Sequence, residues 1–293
     1  MYELLSWGSL KQILVSVDGL RSSAHEKETL DRLTLIKTVE RFASIDQRIQ
    51  LKVQERNRGI NYHLARIFEE VLPTSSRIII IEEDVSMDAV GLDFLSLKNY
   101  SDDVFAATTY TWKNHESIDI HDYRYSLFPA QWGISFDSRV LEEYLRLIHD
   151  RRLNIHLLRK SIDSLFEKQL SRLQKEVVAQ HWFNHFFNCL RHPNYADALL
   201  QYCVWILGAR YRVPLKSLSV DQAQLNDSRS LTPRTVPSIQ EHCSCPIDST
   251  RICMDCEISS SQVNQIKVLD TLAGIKFRAK LSFKDQILGH KGI

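Results

Sequence analysis

The sequence predicts an α/β fold built on a twisted, mostly parallel sheet flanked by helices. Three observations carry that expectation. Between residues 11 and 84, short apolar runs of β type alternate with longer runs of helical periodicity, the pattern of right-handed crossovers between parallel strands. The run Ile78–Ile81 is uninterrupted by polar residues, as expected of a strand covered on both faces. Polar and turn-forming residues gather just past the strands, at Asp18, at Asn57 and Gly59, and at Glu82, Glu83 and Asp84, where sheets of this class bind ligands.

The elements follow in order. KQILVSVDGL (11–20) is a short strand ending at a turn, with Gly19 supplying a permissive backbone. HEKETLDRLTLIKTVERFA (25–43) sets Leu30, Leu33, Ile36 and Val39 at helical spacing, an amphipathic helix. IQLKVQ (49–54) is a second strand, and ERNRGINYHLARIFEEVLP (55–73) is a turn and a helix stopped near Pro73. RIIIIEED (77–84) is the third strand, DDVFAATTY (102–110) a fourth and QWGISFDS (131–138) a fifth. Residues 138–207 read as mainly helical. After Pro214 the pattern loosens, and the polar, turn-rich stretch 219–240 reads as a loop or a partly disordered segment. The tail from residue 263 has strand character, and no internal repeat is visible.

Composition limits the function classes. The chain has 293 residues, 44% of them hydrophobic, enough for one large domain or a domain with an appendage. With 37 basic and 36 acidic residues the net charge is +1, so no global field favours nucleic acid as a partner. The apolar runs are strand-sized, far short of the roughly 20 residues that span a bilayer. The opening MYELLSWGSLKQ lacks the basic start, apolar stretch and cleavage site of a signal peptide. A soluble chain is expected.

Glu82, Glu83 and Asp84 repel one another unless positive charge lies nearby. Two readings stand: charged residues leaving the sheet for solvent, or oxygen ligands for a hard divalent cation. Mg²⁺ or Mn²⁺ takes one or two protein carboxylates and completes its shell with substrate phosphates and water.

The series VSVDGLR (15–21), ERNRGI (55–60), IIIIEEDVSMDAVGLDFL (78–95) and QWGISFDSRVLEEYL (131–145) resembles a family of nucleotide-sugar glycosyltransferases of the GT-A fold. That family carries a DGPR turn, an N-x-G turn, an EDD strand end and a W-G-W segment, and is distantly similar to N-acetylglucosaminyltransferase I. The resemblance covers roughly residues 10–235 and rests on the order and spacing of the motifs together.

The resemblance implies a GT-A-type sheet and a metal-dependent, inverting transfer from a nucleoside diphosphate sugar to a carbohydrate or glycoconjugate acceptor. Asp84 would contact Mn²⁺ or Mg²⁺, while Glu82 and Glu83 would shape the sugar and ribose side. Asp18 and Gly19 would lie near the nucleotide. Asn57 and Gly59 would hold nucleotide or phosphate with Arg56 as a phosphate neighbour, and Trp132 and Gly133 would line the sugar and acceptor cleft. The general base, which deprotonates the acceptor hydroxyl, falls to Asp197 in NYADALLQYCVW (194–205), with Asp137 in reserve. Asp also favours helix starts, so Asp197 has that structural reading beside it.

By the same resemblance, residues 1–235 form the transferase domain, with a nucleotide-sugar half to about residue 110 and an acceptor half beyond it. Residues 236–293 form a Cys-containing loop and tail. The expected setting is the cytoplasm with peripheral membrane association, or the Golgi lumen for a eukaryotic enzyme.

The chain departs from the family pattern in places. The family's first, base-recognition strand is expected to be missing, Leu20 replaces the proline after DG, and Glu83 replaces the middle acid of EDD. In 219–230 Asp227 survives, but the family's glycine and histidine do not. These departures motivate a rival expectation, a catalytically inactive relative that binds glycan or a partner. A nucleotidyltransferase on a similar sheet would need a glycine- and lysine-rich phosphate loop near the N-terminus, and none is present.

Cys243, Cys245, Cys253 and Cys256 form C-x-C-x7-C-x2-C, open to structural Zn²⁺, to disulfides or to free thiols. Cys189 and Cys203 stand in apolar helical surroundings as buried thiols. His181, His185, Cys189 and His192 share one helix face, but the interleaved Trp182, Phe183, Phe186 and Phe187 favour a packed helix over a metal site.

Overall fold

A computed structural model describes residues 10–96, 104–111, 113–114, 123–127, 129, 133–166, 172–221 and 241–242. Trp132, the four clustered cysteines, Asp227 and the tail from residue 263 lie outside them.

Strand β1 (Ile13–Val17) leads into helix α1 (Glu26–Ala43), β2 (Ile49–Val53) and α2 (Ile60–Val71), the last extended by a 3₁₀ turn at Leu72–Thr74 around Pro73. Then come β3 (Arg77–Ile80), β4 (Val85–Met87), α3 (Ala89–Ser96), β5 (Val104–Thr108), β6 (Lys113–Asn114), β7 (Tyr123–Ser126) and β8 (Ile134–Asp137). Four helices follow: α4 (Ser138–Asp150), α5 (Ile155–Leu165), α6 (Arg172–Arg191) and α7 (Ala196–Ile206). The described elements end with β9 (Arg210–Pro214), β10 (Ser219–Asp221) and β11 (Glu241–His242).

The alternation of the first half is as the sequence predicts, and the fold is α/β. The sheet is not mostly parallel. β1 and β2 pair in parallel as a separate two-stranded sheet, while a five-stranded sheet runs β3-β8-β5-β9-β7. β8 is antiparallel to both β3 and β5, and β7 is antiparallel to β9, so the main sheet is mixed. The crossover rule governs strands joined through a helix on the sheet face. It applies to β1 and β2, which pair in parallel across α1, and says nothing about β3, which lies in the other sheet, or about β8, which no helix joins to β5 among the described residues.

Direction and register define two edges of the main sheet. β3, β5 and β9 run one way and end beside the start of β8, with Ile80 and Thr108 both opposite Ile134. Glu82–Asp84 follow β3 at that edge. The other edge carries Arg77 opposite Asp137.

Helices α4 to α7 cover one face of this sheet, burying Phe136, Tyr144, Trp182, Phe186, Tyr202, Trp205 and Tyr211 to 2% exposure or less. β4 and α3 cover the other with Val85, Met87, Leu92, Phe94 and Leu95. At the end of β5, Ala106 falls in the first core and Ala107 in the second, as period-two alternation requires, while Val104 and Phe105 both join the first where the register shifts. The same alternation explains the four isoleucines. Ile78 and Ile80 pack on the first core and Ile79 and Ile81 on the second, although β3 is an edge strand and all four stay half-buried.

The β1–β2–α1 unit is more lightly packed, with Ile13, Val39 and Ile49 as its buried residues. Of the helical line expected to face inward, Val39 is buried and Ile36 half-buried, but Leu30 and Leu33 are 57% and 46% exposed. The inward line instead runs Thr29, Arg32, Ile36, Val39, the same period turned by one residue.

Candidate functional site

The site begins at the carboxyl ends of β1 and β2. After Val17, Asp18 turns the chain, and its Oδ1 accepts the Gly19 N–H at 2.7 Å. The adjacent turn, Arg56–Gly59, is set by Asn57, whose Oδ1 accepts the Gly59 N–H at 3.0 Å, an Asx turn. The two turns touch: a Cβ on Gly19 would overlap the backbone of Arg56 and Asn57. Arg32 locks them from α1, donating to the Asp18 carbonyl at 3.0 Å and to the Gln54 carbonyl at 2.9 Å. Gly19 is thus held backbone to backbone against Arg56 and Asn57, residues far from it in sequence.

Between the turns and the first turns of α2 lies a cleft of about 510 Å³ lined by Asp18, Val53–Arg56, Arg58, Tyr62, His63 and Arg66. Three guanidiniums face two carboxylates, a balance that suits a ligand with oxyanions and hydroxyls. Arg66 also pairs with Glu69 at 3.0 Å.

Asn61 carries the site towards the later helices. It is 2% exposed, its N–H donates to the Pro193 carbonyl at 2.9 Å, its Nδ2 to the His192 carbonyl at 2.7 Å, and its Oδ1 accepts the Tyr195 N–H at 3.1 Å. Gly59, at φ 86°, leaves no room for a side chain against Pro193 and Asn194. Segment 192–195 is therefore fixed on the Asn57–Gly59 turn, and it leads into α7 with Asp197 exposed in the first turn.

Asp137 stands elsewhere. It caps α4 through the Arg139 N–H at 3.0 Å and pairs with the Arg139 guanidinium at 2.7 Å, at the sheet edge shared with Arg77. Burial alone would raise its pKa, but the hydrogen bonds from Arg139 and the charges of Arg139 and Arg77 outweigh it and hold the carboxyl below the usual range. The 13 residues of α4, about 20 Å of helix, separate it from Arg151, which donates to the Tyr62 hydroxyl at the cleft end. Its role is that of a helix cap.

Glu82, Glu83 and Asp84 turn the chain between β3 and β4, with the Val85 N–H donating to the Glu82 carbonyl at 3.1 Å. Glu82 and Asp84 are half-buried and Glu83 is exposed. β4 pairs with β10 in antiparallel register, so the stretch expected to be loop from residue 219 begins as a strand beside the acids. Gly133 closes the same region at φ 61°, its carbonyl accepting from the Thr109 N–H at 2.9 Å, with no space for a Cβ against Met87. The three acids do not line the 510 Å³ cleft. Among the described residues, no group of three or more His, Cys, Asp or Glu side chains is arranged to hold a metal ion.

The structure thus brings Asp18, Gly19, Arg56, Asn57 and Gly59 into one site and ties the Asp197 segment to it. Gly133 stands with Glu82, Glu83 and Asp84 at the β3 end. The sequence reading missed Arg32, Arg58, Asn61, Tyr62, His63 and Arg66. For Asn61, Tyr62, His63 and Arg66 the signal was present in INYHLAR, where polar residues open a helix directly after the N-x-G turn, and Arg58 is the middle residue of that turn.

Along α6, Trp182 packs on Phe186 and Trp205, and His185 Nε2 lies 3.6 Å from Cys189 Sγ. Burial lowers the pKa of His181 and His185 and raises that of Cys189 to about 11. The helix is packed as its aromatic residues predict, and Cys189 and Cys203 are free, buried thiols.

No protein-family model and no curated protein sequence matches the chain. No described helix is long and apolar enough to cross a membrane.

Proposed function

We propose that the chain is a metal-dependent glycosyltransferase that moves a sugar from a nucleoside diphosphate sugar to a hydroxyl of a glycan or glycoconjugate, with inversion. One observation carries the reading: the Asp18–Gly19 and Arg56–Gly59 turns, the two stretches that resemble the nucleotide-binding motifs of such enzymes, wall a single arginine-bearing cleft. In this reading Arg56 and Arg58 hold the diphosphate by charge-assisted hydrogen bonds, and Asp18 orients the nucleoside.

Asp84, half-buried, with Glu82 and Glu83 beside it in the chain, would supply carboxylate oxygen to Mn²⁺ or Mg²⁺ as part of a shell that substrate phosphates complete. When bound, the cation stabilises charge on the departing diphosphate. Gly133 and Trp132 shape the sugar side. Asp197, on the segment bound to Asn61, takes the proton of the acceptor hydroxyl. The working place is the cytoplasm, against a membrane when the acceptor is lipid-linked.

A second reading, a binding protein without catalysis, draws on the separation of the acids from the cleft. A donor-hydrolysis screen with and without Mn²⁺ separates the two. Wild type hydrolyses one nucleotide sugar in a Mn²⁺-dependent way, and Asp84→Asn loses about a hundredfold of that rate. Equal hydrolysis by both proteins removes Asp84 from the metal role, and no hydrolysis of any donor by wild type favours the binding protein.

A further inference from the structure

His63 belongs to none of the motifs that the resemblance supplies, yet it lines the cleft. It projects from α2 on the side away from Asn61, Ala65 and Phe68, which α2 buries. Its side chain is 9% exposed, and its Nδ1 lies 3.5 Å from Asp18 Oδ1. That nitrogen has no contact with solvent and makes no hydrogen bond among the described residues. The distance is within ion-pair range but beyond a charge-assisted hydrogen bond, which closes to about 2.7–2.9 Å. A buried polar atom next to an acceptor and short of bonding it is a group whose hydrogen bond remains to be made.

The charges around it say what closes it. From β1 comes Asp18, from the β2–α2 turn Glu55, Arg56 and Arg58, and from α2 itself Tyr62 and Arg66. Arg32 approaches from α1 but is engaged by the carbonyls of Asp18 and Gln54, and Arg66 is engaged by Glu69. An incoming oxyanion therefore meets two guanidiniums together with the Asp18 and Glu55 carboxylates, like charges that oppose it, and Asp18 is the one within reach of His63. Imidazole gains charge near neutrality, and a proton on Nδ1 turns the 3.5 Å approach into a hydrogen bond that holds Asp18 against the wall and offsets its charge.

We propose that His63 is a proton-linked positioning residue: an oxyanion entering the cleft draws one proton from solvent onto His63, which then pins Asp18. The proposal rests on the anion-binding reading of the cleft and not on the transfer reaction. At most one proton is taken up per ligand molecule bound, no covalent bond changes, and the proton returns to solvent on release.

The test is calorimetric titration of the full chain with inorganic pyrophosphate and, separately, with a nucleoside diphosphate, taking the uridine, guanosine and adenosine compounds in turn. Each titration is run at pH 6 and pH 8 in two buffers of different ionisation heat, for wild type and His63→Gln. Comparing the two proteins cancels the probe's own ionisation. Wild type is expected to take up more protons than His63→Gln and to bind the probe about tenfold more tightly than the variant at pH 6. Long-range ¹H–¹⁵N spectra of wild-type imidazoles give a reading that no variant can confound, with His63 Nδ1 becoming protonated as pyrophosphate is added. Equal proton uptake by both proteins, a His63 ring that stays neutral in the saturated complex, or no binding of either probe overturns the proposal. Pyrophosphate binding with the His63-dependent proton uptake, but without any uridine, guanosine or adenosine diphosphate binding, upholds it while overturning the nucleotide-sugar reading.

Discussion

Gly19 shows at the level of one residue how backbone contact makes the site. Its α-carbon has no room for a methyl group because the Arg56–Asn57 peptide occupies that space. Gly19→Ala must push the two turns apart, an overpacking that costs about 1–3 kcal/mol. A lower urea midpoint and loss of nucleoside diphosphate binding are expected, and a variant that binds as wild type contradicts the contact. Asp137 offers the contrasting case of a carboxylate that serves the fold. Asp137→Ala removes a helix cap and costs about 1 kcal/mol at neutral pH, with the rate of any transfer reaction unaltered. The sign of its pH dependence follows from its lowered pKa. The ion-pair contribution is present above the unfolded-state value of about 3.9 and is lost as pH falls through the folded value. The part of the Asp137→Ala penalty that comes from this ion pair therefore vanishes in acid, which urea melts at pH 7 and pH 2 will show.

At the scale of elements, the join between α2 and the segment before α7 rests on Asn61. Its side chain and N–H satisfy three backbone groups of residues 192–195 from a position 2% exposed. Asn61→Ala leaves the His192 carbonyl and the Tyr195 N–H without that side chain, a loss of about 2–3 kcal/mol. Hydrogen exchange of the 192–197 amides quickens in the variant, and any acceptor-dependent activity falls because Asp197 is carried on that segment. Element-level sequence reading succeeded where a local signal decides the outcome. Apolar period and turn chemistry placed β1, β2, β3 and the helices between them, and Pro73 ended α2. The same reading turned α1 by one residue, because Arg32 looks like a solvent-facing charge until the carbonyls of Asp18 and Gln54 are seen to need a donor.

At the scale of the whole molecule, strand direction was not legible. Whether β8 runs with or against its neighbours depends on the route of the chain between β5 and β8, which hydrophobic period does not encode. The separation of β1–β2 from the main sheet was hidden for the same reason, as was the pairing of β10 with β4. The two halves of the candidate site differ accordingly. Glycines and Asx turns showed where Asp18 and Asn57 would meet, whereas the placement of Glu82–Asp84 relative to that cleft is a matter of tertiary geometry. The helical core makes its own prediction. Cys203 is fully buried and Cys189 nearly so, and burial raises both thiols, Cys189 to about 11. Peptide mapping after iodoacetamide at pH 8 is expected to find both unmodified in the folded protein and both modified in urea, since only the thiolate reacts.

The central claim is that two turns distant in sequence form one oxyanion cleft for a nucleoside diphosphate. Calorimetric titration of uridine, guanosine and adenosine diphosphates, each with Mn²⁺, into wild type and Arg56→Gln tests it most directly. The account predicts saturable binding of one of them by wild type, weakened about tenfold or more in Arg56→Gln. Absence of binding of all three by a folded wild-type protein, or equal affinity in Arg56→Gln, would contradict it.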